Sequence, residues 1–107
     1  MVDEMPLKLL LVVGSSGSRL EFVGGLAEAA IRSGSSVGVV FFGNSLYGIM
    51  RKVRGELGGL EGVSLFAHEA SLRERGIRPD ELVGQPKAIG EGELLELMVS
   101  SERTLCL

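Results

Sequence analysis

The sequence predicts an α/β protein, a three-layer α/β/α sandwich built on a mostly parallel sheet of four to five strands. Short apolar runs alternate from end to end with amphipathic helical stripes, and strands that are joined by helical crossovers run parallel. The 107 residues suffice for one hydrophobic core, so we expect a single domain over residues 1–107. Six of the 16 glycines fall where an apolar run or a helical pattern begins or ends: Gly14, Gly34, Gly43, Gly62, Gly76 and Gly90.

The first half of the chain contains two predicted strands with a helix between them. The apolar run Leu7–Val13 is nearly continuous, which is typical of a strand that is covered on both faces. Apolar residues then recur every three or four positions over Arg19–Ser33. This spacing predicts an amphipathic helix with Ser18 as its N-cap and Gly34 at its end. The run Val37–Phe42 predicts the second strand.

The second half repeats the alternation with shorter elements. A helical stripe extends from Leu46 to Leu57, Val63–Ala67 is a third apolar run, and His68–Arg75 has the length of two helical turns. The remaining predicted elements are a short helical turn, a fourth strand, a last amphipathic helix and a closing strand, at Pro79–Val83, Lys87–Gly90, Glu91–Ser101 and Thr104–Leu107.

Composition argues against several classes of function. The net charge is -3 and no long block of like charge is present, so we expect no nucleic-acid partner. The first apolar run is far shorter than the ~20 residues of a membrane helix, so we expect no membrane association. Residues 1–6, MVDEMP, are acidic rather than typical of a signal peptide, and we expect them to form a flexible tail. A single cysteine excludes an internal disulfide, which favours a cytoplasmic location.

Polar residues follow three of the predicted strands. Parallel strands end at one edge of the sheet, where α/β proteins bind their ligands. The loop at residues 14–19, GSSGSR, lies between a strand and a helix, so it either holds a small anion such as phosphate, sulfate or carboxylate or merely turns and caps. Side chains from all three loops make up the predicted ligand-binding pocket: Ser15, Ser16, Ser18, Asn44, Tyr47, Glu69 and Ser71.

His68 is the only histidine of the chain and directly follows the third apolar run. An imidazole at the mouth of a pocket can transfer a proton, bind an anion or ligate a metal. The structural alternative is that His68 caps the adjacent helix or hydrogen-bonds a nearby carbonyl. A zinc site needs several nitrogen or sulfur ligands, and one histidine with the distant Cys106 does not supply them. We therefore predict neither a metal nor a cofactor.

Three further side chains have alternative interpretations. Asn44 either caps the helix that follows it or contacts a ligand. Tyr47 either places its hydroxyl in the pocket or packs in the core or in a subunit interface. Cys106 lies between two leucines, so we expect it to be a small buried hydrophobic residue rather than a reactive thiol.

The order of elements resembles that of the DsrE/DsrF-like family of small sulfur-relay proteins. The resemblance covers nearly the whole chain and rests on two segments, VGVVFFGNSLYGI and GVSLFAHEASLRERGI, on the pattern A-S-x-x-x-R-G at Ala70 to Gly76, and on the final helix and strand. In the sulfur-transferring members, a cysteine at the end of the third strand carries sulfur as a persulfide. His68 or a near neighbour takes that position here, so the chain resembles a member that lacks the reactive cysteine.

Two hypotheses follow from the resemblance and the residues. In the first, the protein is a non-catalytic binding or assembly subunit that forms a homo-oligomer, a trimer or hexamer as the resemblance implies, or that joins related DsrE/DsrF-like subunits. The apolar residues of the helical stripes exceed the needs of so small a sheet, which favours subunit contacts. In the second, the protein is an enzyme that binds a small anion and uses His68 as acid or base.

Overall fold

A five-stranded parallel sheet forms the centre of the protein. The computed structural model describes residues 6–14, 18–52 and 60–107, without the side chains of residues 18 and 19. The strand order is β4-β3-β2-β1-β5, and all four neighbouring pairs are parallel. The strands are β1 Leu9–Val13, β2 Val37–Phe41, β3 Ser64–His68, β4 Lys87–Ile89 and β5 Arg103–Cys106. The predicted α/β architecture is confirmed.

In the part of the chain that the structure describes, four helices connect or flank these strands, α1 Ser18–Arg32, α2 Ser45–Gly48, α3 Glu69–Arg75 and α4 Glu91–Ser100, with a 3-10 turn at Pro79–Glu81. The end of α3 follows the expected chemistry, because Gly76 has φ +64°, a left-handed conformation that glycine adopts without a steric penalty. Among the described residues, no helix combines the length and the apolar character that spanning a bilayer requires.

Alternation of side chains along the strands produces a core on each face of the sheet. The larger core includes side chains from α1, α2 and α3 as well as from the sheet: Leu20, Val23, Ala27, Leu46, Leu72, Leu11, Val39 and Phe41. The smaller core lies under α4 and is made by Leu10, Val12, Val40, Ile89 and Leu97. The sheet is thus the middle layer of three, with unequal helical cover on its two faces.

The second predicted helix is shorter than its apolar stripe. After Gly48 the backbone leaves the helical path, and Met50 forms an antiparallel bridge with Leu82. The N–H of Arg51 donates to the Glu81 carbonyl, and the N–H of Val83 donates to the Ile49 carbonyl, both at 2.8 Å. These tertiary hydrogen bonds replace the helical ones that the sequence pattern predicts. The last part of the stripe lies in residues 53–59, outside the described residues.

Two expectations near strand ends need correction. His68 is the last residue of β3 and precedes the helix rather than beginning it. Cys106 is exposed, because β5 is an edge strand of the sheet and pairs only with β1. Edge strands offer one side to solvent whatever their composition, so the apolar neighbours of Cys106 gave the wrong expectation.

Candidate functional site

The polar loops of the site lie at the C-terminal edge of the sheet. Gly14 follows β1, Gly43 and Asn44 follow β2, and His68 ends β3. Of the predicted pocket residues on the first loop, Ser15 and Ser16 lie outside the described part of the chain. Helix α1 begins at Ser18, whose side chain is likewise not described, so the predicted anion-binding loop remains a prediction.

The imidazole of His68 is held on both of its nitrogen atoms. Nδ1 lies 2.8 Å from Oγ of Ser71, and Nε2 lies 3.3 Å from Oε2 of Glu91 at the start of α4. The ring side chain is 14% exposed, whereas that of Glu91 is 75% exposed. The side chain of His68 makes no capping bond to α3. His68 is therefore buried for most of its surface and positioned by two other side chains.

The Glu91 carboxylate determines the direction of the hydrogen bond between His68 and Ser71. Ser71 is buried, and its Oγ accepts the N–H of Gly43 at 3.0 Å. A carboxylate only accepts hydrogen bonds, so the contact with Glu91 places a hydrogen on Nε2 of His68. In the neutral ring Nδ1 is then an acceptor, and the hydroxyl of Ser71 donates to it. Two hydrogen bonds and one charge-assisted contact thus link the loop after β2, helix α3, the end of β3 and helix α4.

A cleft of about 250 Å³ opens beside His68. Its walls are Val12, Phe42 and Leu94, and its polar side is formed by His68 and Glu91. The ring of Phe42 lies over Gly14, where a Cβ atom would come within 2.7 Å of Phe42 Cζ. The cleft therefore combines mostly apolar walls with one polar pair, the arrangement that is typical of small-molecule sites.

A second polar cluster surrounds Arg75. Its Nη1 donates to the Ser71 carbonyl at 3.1 Å, and its Nη2 donates to Oδ1 of Asn44 at 3.2 Å. The guanidinium carbon lies 5.8 Å from the centre of the Tyr47 ring, within the range of a cation–π contact. Asn44 makes no side-chain capping bond, and Tyr47 is exposed rather than packed in the core of the chain. Both residues therefore contact Arg75 and do not line the His68 cleft.

Glu69 lines a separate cleft of about 300 Å³ with Leu72 and Arg73. Its Oε1 lies 3.7 Å from Nη1 of Arg73, and both side chains are largely exposed. Within the described ranges, no group of three histidine, cysteine, aspartate or glutamate side chains has the arrangement of a metal site. The carboxylate that contacts His68 is thus Glu91 and not its sequence neighbour.

No protein-family model matches the chain, and no curated protein matches it in sequence. Solved structures are similar to it. The protein of unknown function MTH1491 from Methanobacterium thermoautotrophicum superimposes with a TM-score of 0.75 at 17% identity, over 92% of this chain and 96% of that one. YchN from E. coli superimposes with a TM-score of 0.73 at 16% identity, over 94% and 99%. The chain has the DsrE/YchN-like fold. At these identities the similarity concerns the fold alone.

Within this DsrE/YchN-like fold, His68 lines the cleft, whereas Ser71, predicted as a pocket residue, contacts the imidazole and does not line the cleft. Most of the residues around them were not predicted. Glu91, Phe42 and Leu94 line the cleft, and Arg75 holds the neighbouring cluster. One signal was available for Glu91, because it follows β4 just as Glu69 follows β3. For Leu94 no signal exists, since its position depends on how α4 crosses the sheet.

Proposed function

We propose that the protein is a non-catalytic binding or assembly subunit related to sulfur-relay proteins, and that it does not carry persulfide. The observation that carries this proposal is His68 at the end of β3, with its ring held between Ser71 and Glu91. Sulfane sulfur is passed on by a thiolate that attacks and then releases it, and an imidazole offers no such chemistry. The single cysteine, Cys106, lies in β5, three strand spacings or about 14 Å across the sheet from β3.

Mass spectrometry tests the sulfur part of this proposal. After exposure to a persulfide donor and removal of excess donor, the intact mass is expected to stay unchanged. An added mass of about 32 Da, one sulfur atom, that disappears in a Cys106→Ser variant would overturn the proposal, because the exposed thiol would then be a carrier.

Assembly is proposed to use the α4 face of the sheet. Leu95 and Val99 project from α4 and are 61% and 85% exposed in the single chain. They lie four residues apart on a helix, so they form one apolar stripe. Apolar side chains that cluster in this way are typical of surfaces buried between subunits. The partner is a second copy of the chain, in a trimer or hexamer, or a related DsrE/DsrF-like subunit, and the proposed location is the cytoplasm.

Light scattering coupled to size-exclusion chromatography tests the assembly. The wild type is expected to elute as an oligomer at micromolar concentration, and the Leu95→Asp/Val99→Asp variant is expected to elute as a folded monomer. Phe22→Asp is the matched control, since Phe22 is an exposed apolar residue on α1, which covers the other face of the sheet. A monomeric wild type would refute the assembly proposal. If Phe22→Asp were monomeric and the Leu95→Asp/Val99→Asp variant still oligomeric, the subunit contact would lie on α1 and not on α4.

The second candidate function is acid–base catalysis on a small anion, which is favoured by the position of Nε2 of His68 beside the cleft. In that case Ser71 positions the ring and is not a nucleophile, because its hydroxyl is buried and bonded to Gly43. Incubation with thiosulfate, persulfide and phosphate compounds tests this function. Equal turnover, or none, by the wild type and His68→Ala would exclude it.

A further inference from the structure

The His68 cleft already contains an internal hydrogen-bond acceptor. The carboxylate of Glu91 approaches Nε2 of His68 at 3.3 Å, and it does so from a side chain that is 75% exposed. For the carboxylate this contact contributes little, because its side chain is already largely in water. Glu91 can therefore give up Nε2 at low cost when another acceptor replaces it. Ser71 still holds the ring in place through Nδ1, so Nε2 is available to an acceptor that enters the cleft.

A donor in this position selects a ligand that carries an acceptor. The ring is largely buried, while Glu91 lies at the mouth, so a molecule that fills the cleft meets the N–H of His68 at the inner end of its polar side. An ammonium group would instead pair with Glu91 at the solvent side and gain little there. A carboxylate satisfies the N–H donor as Glu91 does, with a charge-assisted bond.

The other walls of the cleft require an apolar body on the same ligand. Val12, Phe42 and Leu94 line it, and burial of carbon against these side chains stabilises a complex in proportion to the area removed from water. The volume of about 250 Å³ equals that of about eight water molecules at ~30 Å³ each. A benzene ring with one carboxylate fits within this volume.

We propose that the cleft between β1, β2 and α4 is a binding site for a small apolar carboxylate, whose anionic group takes the place of Glu91 at Nε2 of His68. Glu91 then competes with the ligand for Nε2 of His68 and does not itself bind the ligand. This assignment predicts that removal of the Glu91 carboxylate increases the affinity for the ligand, although Glu91 lines the site.

Titration with benzoate, followed by amide chemical shifts, tests the assignment. The chain has one histidine, so the imidazole 15N signals report on His68 without ambiguity. Benzoate is expected to bind the wild type and to shift these signals, whereas acetate, which lacks the apolar body, and benzyl alcohol, which lacks the charge, bind more weakly. Glu91→Gln is expected to tighten benzoate binding by about two- to fivefold, the factor that corresponds to loss of an exposed competing pair.

Two variants complete the design. Glu96→Gln removes the same charge from an exposed position on the same helix, so it is expected to leave the affinity for benzoate at the wild-type value. Leu94→Asn makes the wall polar without changing His68 and is expected to weaken binding. If Glu91→Gln and Glu96→Gln increased the affinity for benzoate equally, the effect would come from net charge alone and the proposal would be overturned. Weaker binding by Glu91→Gln, or imidazole signals that do not respond to benzoate, would also overturn it.

The oligomeric state of each variant, measured in parallel, separates this proposal from the assembly proposal. A protein that assembles and does not bind benzoate would refute the ligand site alone, and a monomer that binds benzoate would refute the assembly alone.

Discussion

Removal of the Ser71 hydroxyl is expected to destabilise the protein and to leave Nδ1 of His68 without its hydrogen-bond partner. In Ser71→Ala, the N–H of Gly43 loses its acceptor at 3.0 Å and Nδ1 of His68 loses its donor at 2.8 Å. Ser71 is only 5% exposed, so water does not readily replace the lost oxygen. A buried polar group that is left unpaired costs about 1–3 kcal/mol.

The two lost partners do not contribute equally. Gly43 is partly exposed, so its N–H is partly rehydrated, and we assign about 1 kcal/mol to it and about 1.5 kcal/mol to the more buried imidazole nitrogen. Alanine favours a helix over serine by about 0.5 kcal/mol, which offsets part of this loss in α3. The net expectation is about 2 kcal/mol, or a decrease in Tm of about 8 °C for a chain of this size.

Urea unfolding and 15N spectroscopy of the imidazole check this expectation. Ser33→Ala is the control, since its exposed hydroxyl donates to the Ala30 carbonyl and its loss costs about 0.5 kcal/mol or less. In the wild type, at a pH where the ring is neutral, the hydrogen resides on Nε2 beside Glu91. It is expected to stay there in Ser71→Ala, while the 15N signal of Nδ1 shifts because that atom loses its hydrogen bond. If Ser71→Ala is no less stable than Ser33→Ala and leaves the imidazole signals unchanged, the hydrogen bonds that join Ser71 to Gly43 and His68 do not exist.

Four further substitutions have expected outcomes in denaturant unfolding. Leu97→Ala removes the fully buried side chain of α4 and should cost about 3 kcal/mol, whereas a cost below about 1 kcal/mol would mean that α4 packs loosely on the sheet. Gly76→Ala, at φ +64°, should destabilise the protein by about 1 kcal/mol. Gly25→Ala inside α1, where a Cβ atom meets no other atom within 4 Å, should stabilise it by about 0.8 kcal/mol. If both substitutions stabilised the protein, or both destabilised it, this reasoning would be contradicted. Arg75→Lys keeps the charge but loses the hydrogen bond to Asn44, so the free energy of unfolding should decrease by about 1 kcal/mol. Unchanged stability would show that the guanidinium contacts do not stabilise the protein.

The strands were predictable because their sequences carry the signal locally. Runs such as Val37–Phe41 are buried at every position, and a continuous apolar run is what a strand inside a parallel sheet requires. The second helix was not predictable to its end, because Met50 is apolar at helical spacing yet pairs with Leu82. Periodicity detects burial and cannot tell which partner buries the side chain.

The candidate site was predictable only for the residues that follow a strand directly. His68 was found in this way, and its placement beside a cleft needed only the parallel sheet. Its partners came from distant parts of the chain: the N–H of Gly43 through Ser71, and the carboxylate of Glu91. The direction in which α4 crosses the sheet decides that Glu91 rather than Glu69 reaches the ring, and no local pattern encodes that direction.

The path of α4 also has a consequence for how the protein is made. β1 to β4 are laid down in order towards one edge of the sheet, and α4 then carries the chain back across it, so that β5 pairs with β1, with Arg103 beside Leu9. Pairing between such distant segments forms late and slowly. Until α4 has left the ribosome, the helix that covers Leu10, Val12 and Val40 is missing. A nascent chain therefore passes through a state in which one apolar face of the sheet is exposed. In that state, aggregation with other chains competes with completion of the fold.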